Sequence, residues 1–217
     1  QYLHQKWKIE NERIHVIPIS YGYSLKTNVK SCDFKKLKII SAFRMCWEKN
    51  IFSHLKVVAF LRAKLIPVQY DVYGDGPELG QLYYLVDKFN LEDCVTIHGR
   101  VDNKDLKMAM KKSDFVLQLS HSESLGLSVI EAQSLGLPAI VSTSGGLPEV
   151  IKHNTTGFCV EPDDYKMAAQ KLEFLWNDKS KYGEFSKNAI LNAQQNFSIQ
   201  VEVERLALLY LKLMEQN

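Results

Sequence analysis

Residues 115–143 read FVLQLSHSESLGLSVIEAQSLGLPAIVST. The pattern is strand, small-residue turn, helix, strand. Phe115–Leu119 and Ala139–Thr143 are short apolar runs bounded by turn residues. Between them, Leu127–Leu135 has helical spacing and stops before Gly136, a residue suited to a helix C-terminus. The unit recurs on both sides. Strands are predicted at Ile14–Ile19, Leu37–Phe43, Val68–Tyr73 and Val95–His98, with a short late one at Gly157–Val160. Helices are predicted at Ile51–Lys64, at Pro77–Asn90 with Pro77 in the first helical position, and at Asn103–Lys112 with Asn103 as cap. This alternation implies an α/β fold with a doubly wound, Rossmann-like parallel sheet. Near-continuous apolar strands imply that both sheet faces are covered. From Asp164 the chain reads as helical: Asp164–Trp176, Tyr182–Gln195 and Ile199–Glu215, the last capped by Ser198.

The length of 217 residues allows one large domain or two small ones, with enough apolar sequence to bury a core. The 27 basic and 25 acidic residues are too balanced to predict a nucleic-acid partner. Lys35, Lys36 and Lys38 cluster, but a solvated strand start accounts for them. Cys32, Cys46, Cys94 and Cys159 share no metal-like or redox-like spacing, so free thiols in a reducing cytoplasm are expected. The most apolar stretch, Leu55–Pro67, is interrupted by Lys56, Arg62 and Lys64 and falls short of the ~20 apolar residues that cross a membrane. The chain opens at Gln1 with no secretory signal, and a segment upstream of it is expected.

In an open parallel sheet, ligands gather at the carboxyl ends of the strands. The turn after Phe115–Leu119 lies at such an end. The helix starting near Gly126 turns its unpaired N–H groups and positive dipole end towards it, a position that suits a diphosphate. Two carboxylates bracket the turn, Glu123 before the helix and Glu131 within it. Carboxylates repel phosphate but accept hydrogen bonds from sugar hydroxyls. Read alone, the same pair is equally a capping glutamate and an ordinary surface one. Arg44 and Lys49, after the strand ending at Phe43, offer a guanidinium fork and a compact ammonium to a phosphate pair. Read alone, two surface cations account for them better. Gly145-Gly146 and Gly74-Asp75-Gly76-Pro77 follow strands and permit a sharp turn or a close backbone approach to a ligand. A dinucleotide fingerprint is weak, because position 79 is Leu and the next glycine is Gly80.

Taken together, these features resemble the signature of the retaining glycosyltransferases of family 4, which have the GT-B fold. The resemblance runs through Ser120, Glu123, Gly126-Leu127, Glu131-Ala132, Gly136-Leu137-Pro138, Ser142 to Val150, Gly157, and Pro162 with Asp164. It also takes in Arg44 to Lys49, Gly74 to Pro77, His98-Gly99-Arg100-Val101 and Phe197-Ser198. It implies that this chain is the C-terminal, nucleotide-sugar-binding half of such an enzyme. Residues 1–30 would be an interdomain linker, 31–196 the Rossmann-like domain, and 197–217 a C-terminal helix packing towards an N-terminal, acceptor-binding domain. The isolated half is expected to be inactive.

The resemblance places Glu123 at the donor sugar's hydroxyls and Glu131 at the ribose hydroxyls. Arg44 and Lys49 would neutralise the diphosphate. The backbone around Gly126-Leu127-Ser128 would meet phosphate and sugar, Arg100 and Val101 would line the base, and Gly74 would border the nucleotide. Glu123, Arg44 and Lys49 carry the catalytic assignment. The donor would be a UDP-sugar or GDP-sugar, with no cofactor and no bound metal. The acceptor would be a glycan or glycolipid, and the full-length protein would be cytoplasmic, at the inner face of the membrane by peripheral association. The chain departs from the family pattern at Phe43, Asn50, Ser124 and Asn154, where glycine is common, and at Leu125, where Phe is common.

Competing readings are a GT-B nucleotide-sugar epimerase, a nicotinamide-dependent oxidoreductase and a non-catalytic sugar-nucleotide-binding module. The oxidoreductase wants an intact glycine fingerprint that is not found. His121 reads as a hydrogen-bonded wall residue, His98 as a strand end, and Trp7, Trp47 and Trp176 as packing residues. Ser128 lacks the G-x-S-x-G context of a hydrolase nucleophile.

Overall fold

The computed structural model describes residues 6–17, 19–21, 29–30, 32 and 34–215. Its elements run β1 (Leu37–Ala42), α1 (Ile51–Ala63), β2 (Val68–Tyr73), α2 (Leu79–Lys88), β3 (Val95–Gly99), α3 (Asn103–Lys112) and β4 (Phe115–Gln118). They continue with α4 (Leu127–Ser134), β5 (Ala139–Ser142), α5 (Leu147–Val150), β6 (Gly157–Val160), α6 (Tyr165–Trp176), α7 (Lys179–Phe197) and α8 (Ile199–Glu215). The strands form one parallel sheet in the order β3-β2-β1-β4-β5-β6. From β1 the chain winds outward to β3; from β4 it winds the other way to β6. The seam between β1 and β4, where Ile39 pairs with Phe115, is therefore the topological switch point. A doubly wound, Rossmann-like parallel sheet is what the alternation predicted.

The chain divides into two compact units. One gathers residues 25–194 and carries the sheet; the other gathers the described residues of 1–24 with 195–217. In the first, Leu37 and Ile39 of β1 and Val68, Tyr70 and Val72 of β2 join one apolar cluster with Leu55, Val58 and Leu61 of α1 and Leu172 of α6. Each such buried aliphatic side chain is worth roughly 1.5–3 kcal/mol. Helices α1 and α6 pack on each other, while α3 packs on β1 and α4 on β4 and β5. Buried hydroxyls bridge the strands: Tyr70 donates to Ser41 Oγ (2.8 Å), and Ser41 donates to Leu117 O (2.6 Å), linking β2, β1 and β4. In the second unit, Ser198 Oγ accepts from Val201 N–H at the start of α8 (3.4 Å), and Ser20 N–H donates to Glu202 (2.8 Å). Among the described residues no helix is long and apolar enough to cross a membrane.

Several sequence expectations need correction. Ile14–Ile19 forms no strand among its described residues, and Pro18 lies outside them. Val16 is 78% exposed, so apolarity there does not mark a buried strand. Continuous burial holds for β4 and β5 but not for β2, where Gln69, Asp71 and Tyr73 alternate half-buried with the core residues. The cap of α3 is Asp102, whose carboxylate accepts from Asp105 N–H (2.8 Å), rather than Asn103. Pro77 sits in the turn before α2, which begins at Leu79. Helix α7 begins at Lys179, a turn earlier than Tyr182.

Candidate functional site

The carboxyl ends of β1, β2 and β3, with the start of α4, enclose a cleft of about 460 Å³. Arg44, Gly74, Arg100, Val101 and Ser128 line it, as do Phe43, Tyr73, Asp75 and Leu106, to which the sequence reading gave no ligand. Backbone bonds from Met45 N–H to Asp75 O (2.9 Å) and from Gly74 N–H to Gly99 O (2.8 Å) fix the loops around it. Burial, reinforced by Asp71, pushes the Tyr73 hydroxyl pKa up, so it stays protonated and can donate. Helix α4 starts from Gly126, whose φ of +89° suits glycine. Val129 N–H and Ile130 N–H bond to Gly126 O (2.9 and 3.2 Å), so the amides of Leu127 and Ser128 have no intrahelical carbonyl to reach. They and the helix dipole favour an anion there.

Glu123, Lys49, Glu131, Gly126 and Leu127 do not line this cleft. Lys49 ends a 3-10 turn, Trp47–Lys49, and its Nζ lies 2.7 Å from Glu123 Oε2, both side chains nearly buried. Gln118 Nε2 donates to the same oxygen (3.1 Å), and Ser124 N–H donates to Oε1 (3.2 Å). The sequence reading gave Lys49 and Glu123 separate ligands; the structure pairs them with each other. Glu131 is half-buried on α4, and Leu127 is exposed.

Two departures from the family pattern have a backbone explanation. Asn50 and Asn154 stand where glycine is common and adopt φ of +48° and +62°. Asparagine tolerates this left-handed region better than other residues with a Cβ. Asn50 also uses its side chain: Oδ1 accepts from Ser53 N–H at the start of α1 (3.3 Å), and Nδ2 donates to Pro162 O (2.9 Å) and Asp163 (3.1 Å). Phe43 packs its ring against His54, with centroids 5.2 Å apart.

His54 was not anticipated. It is buried in α1, with Nδ1 3.1 Å from Asn50 O and Nε2 accepting from Leu119 N–H (3.1 Å). Because the amide must donate to Nε2, the proton sits on Nδ1 and the ring is neutral. Burial pushes its pKa down to about 4. The ring thereby ties the end of the Lys49 turn to the loop carrying Glu123.

Gly145 and Gly146 approach the chain itself. A Cβ on Gly145 would lie 1.7 Å from Glu123 O, and one on Gly146 2.2 Å from Ser124 O. Gly146 N–H donates to Glu123 O (3.0 Å), so the glycine pair is a seat for the Glu123 loop. Trp7 and Trp47 are 64% and 68% exposed, against the expectation of packing; Trp176 packs against the core. His98 stacks on Tyr73 (4.2 Å) and meets Asp71 (2.8 Å), and exposed His121 lies 3.7 Å from Asp163. Among the described residues no cluster of His, Cys, Asp or Glu is gathered as metal ligands.

Residues 27–192 match the family described as glycosyl transferases group 1. The chain is 33% identical over 192 residues to the N-acetyl-alpha-D-glucosaminyl L-malate synthase of Bacillus anthracis, covering 88% of this chain and 47% of that protein. It therefore spans about half the length of that curated relative. Among solved structures it resembles a glycosyltransferase from Rickettsia africae ESF-5 (TM-score 0.82, 20% identity, 100% of this chain and 62% of that one). It also resembles the sucrose-phosphate synthase from Thermosynechococcus elongatus (TM-score 0.76, 23% identity, 86% of this chain and 47% of that one). At these identities the structural likeness speaks for the fold alone.

Proposed function

The chain belongs to the group 1 glycosyl transferases, and on that premise we propose that it is the donor-binding half of a retaining enzyme that transfers a glycosyl group from a nucleoside diphosphate sugar to a hydroxyl acceptor. The observation that carries this reading is the cleft at the switch point, where Arg44, Arg100 and the start of α4 converge. Negative charge develops on the departing diphosphate. In this reading Arg44 in the cleft wall and the unpaired amides at the start of α4 would stabilise that charge, the fixed-electrostatics route to a lower barrier. Arg100 and Val101 border the end of the cleft assigned to the base. Glu123 positions the sugar, an orientation effect that does not require it to act as a nucleophile. Lys49 balances the charge of Glu123 and limits its repulsion of the diphosphate. An acceptor-binding domain on the full-length protein completes the active site, with a glycan or glycolipid acceptor and peripheral membrane association.

Calorimetry with UDP, GDP, ADP and NAD tests the reading. UDP or GDP is expected to bind best; preference for NAD over every nucleoside diphosphate overturns it. Glu131→Ala is expected to weaken the bare nucleotide by about 1.5–3 kcal/mol, roughly one to two decades, because a charge-assisted bond to ribose is lost. A variant that melts like the parent and binds as tightly removes the ribose assignment.

A further inference from the structure

Gln118 ends β4 and is 1% exposed. Its Nε2 donates to Glu123 Oε2 (3.1 Å) and to Ser120 Oγ (2.8 Å), while its buried Oε1 makes no hydrogen bond among the described residues. Turning the amide over would set Oε1 against the carboxylate, acceptor facing acceptor, so Glu123 fixes which way the amide points. The amide forgoes a bond at one end in order to donate at the other. Lys49 reaches the same Oε2 (2.7 Å), but from a long side chain that would let the carboxylate swing. Gln118 reaches it from a strand end, and the neighbouring backbone is tied down by the bond from Ser142 Oγ to Ser120 O (2.6 Å). With both side-chain donors on Oε2, Oε1 has, among the described residues, the 3.2 Å contact with Ser124 N–H and keeps capacity for a further donor.

We propose that Gln118 is a positioning residue that clamps Glu123 through Oε2 and presents Oε1 to a hydroxyl of the bound donor sugar. This rests on the donor-sugar reading above. It adds a residue outside the recognised motif and assigns the two carboxylate oxygens different tasks.

The test uses Gln118→Met, which keeps the length of the side chain and removes the amide. Affinities are measured for UDP and GDP and for UDP-glucose, UDP-N-acetylglucosamine and GDP-mannose. The bare nucleotides are expected to bind within about twofold of the parent. The sugar nucleotide that the parent prefers is expected to lose about tenfold relative to its bare nucleotide. Melting below the parent temperature is expected, because the bonds to Glu123 Oε2 and to buried Ser120 Oγ are lost along with the unpaired acceptor, so the affinities are compared as ratios at a temperature where both proteins are folded. An unchanged ratio, or equal loss for bare and sugar-bearing nucleotides, overturns the proposal. A second readout needs no ligand. The Gln118 side-chain amide signals in a ¹H–¹⁵N spectrum, identified by their loss in Gln118→Met, are expected to shift in Glu123→Ala; unmoved signals overturn the clamp. If the parent binds no nucleoside diphosphate, the donor reading fails, and the amide signals still decide whether Gln118 holds Glu123.

Discussion

Gly145→Ala is expected to destabilise the protein by about 3–4 kcal/mol and to loosen the attached sugar while sparing the bare nucleotide. The residue sits at φ +58°, a region that costs a residue with a Cβ roughly 1–2 kcal/mol. The added methyl would fall 1.7 Å from Glu123 O, which is backbone and cannot rotate away. The two loops must part, and the Gly146 N–H bond to Glu123 O goes with them, costing about a further 1 kcal/mol. In a chain of this size the melting temperature should fall by roughly 10 °C. Gly183→Ala is the control: it lies within α7, a Cβ there would meet nothing within 4 Å, and alanine should stabilise by about 0.5–1 kcal/mol. Equal melting of Gly145→Ala and the parent would show that the loops are not held as described.

The second large effect is a loss of stability on acidification that passes through His54. Its folded pKa of about 4 lies below the ordinary histidine value of 6.5. Above pH 6.5 both folded and unfolded chains keep the ring neutral, and its contribution is fully present. Between pH 6.5 and 4 the unfolded chain takes up a proton that the folded chain refuses. Stability then falls by about 1.4 kcal/mol per pH unit at most, on the order of 3 kcal/mol by about pH 4. Denaturant unfolding of the parent and of His54→Gln at about pH 7 and about pH 4.5 isolates this residue from the other histidines. The variant should start less stable, having lost the bonds to Asn50 O and Leu119 N–H in their present geometry, and the gap should narrow as pH falls. A gap that stays constant would mean that His54 takes its proton in the folded state as readily as in the unfolded one.

Much of this molecule is readable in its sequence where the governing physics is local. The apolar runs of β4 and β5 are buried throughout because both faces of the sheet are covered there, so run, turn and helix could be placed from residue order alone. The same rule misread Ile14–Ile19, since an apolar run does not say what it packs against. In β2, the alternation of Gln69, Asp71 and Tyr73 with Val68, Tyr70 and Val72 already carried the sign of a half-open face. Arg44 and Gly74 were singled out because each follows a strand, while Arg100, Val101 and Ser128 were named through the family resemblance; all five line one cleft because strand ends converge by topology. The Lys49–Glu123 pair was not, because it joins two loops distant in the chain. The role of Gly145 was only half visible. A glycine announces that something approaches closely, but not whether it is ligand or backbone. His54 gave no signal, since its partners are main-chain atoms and leave no mark in composition.

The seam between β1 and β4 has a consequence for the order of assembly. Strand β1 pairs with β2 along its whole length, but with β4 only at Ile39↔Phe115 and Ile40↔Val116. Everything from α1 to α3 must be threaded before those two pairs can form, so closing the seam carries the largest loop entropy in the sheet and favours late formation. The cleft draws one wall from β1, β2 and β3 and the other from α4, on opposite sides of that seam. On the nucleotide reading proposed above, the β1 to α3 half supplies most of the lining and the start of α4 adds Ser128, so the complete site exists only once the seam is closed. A nucleotide bound there would act as a brake on unfolding rather than as a template for folding.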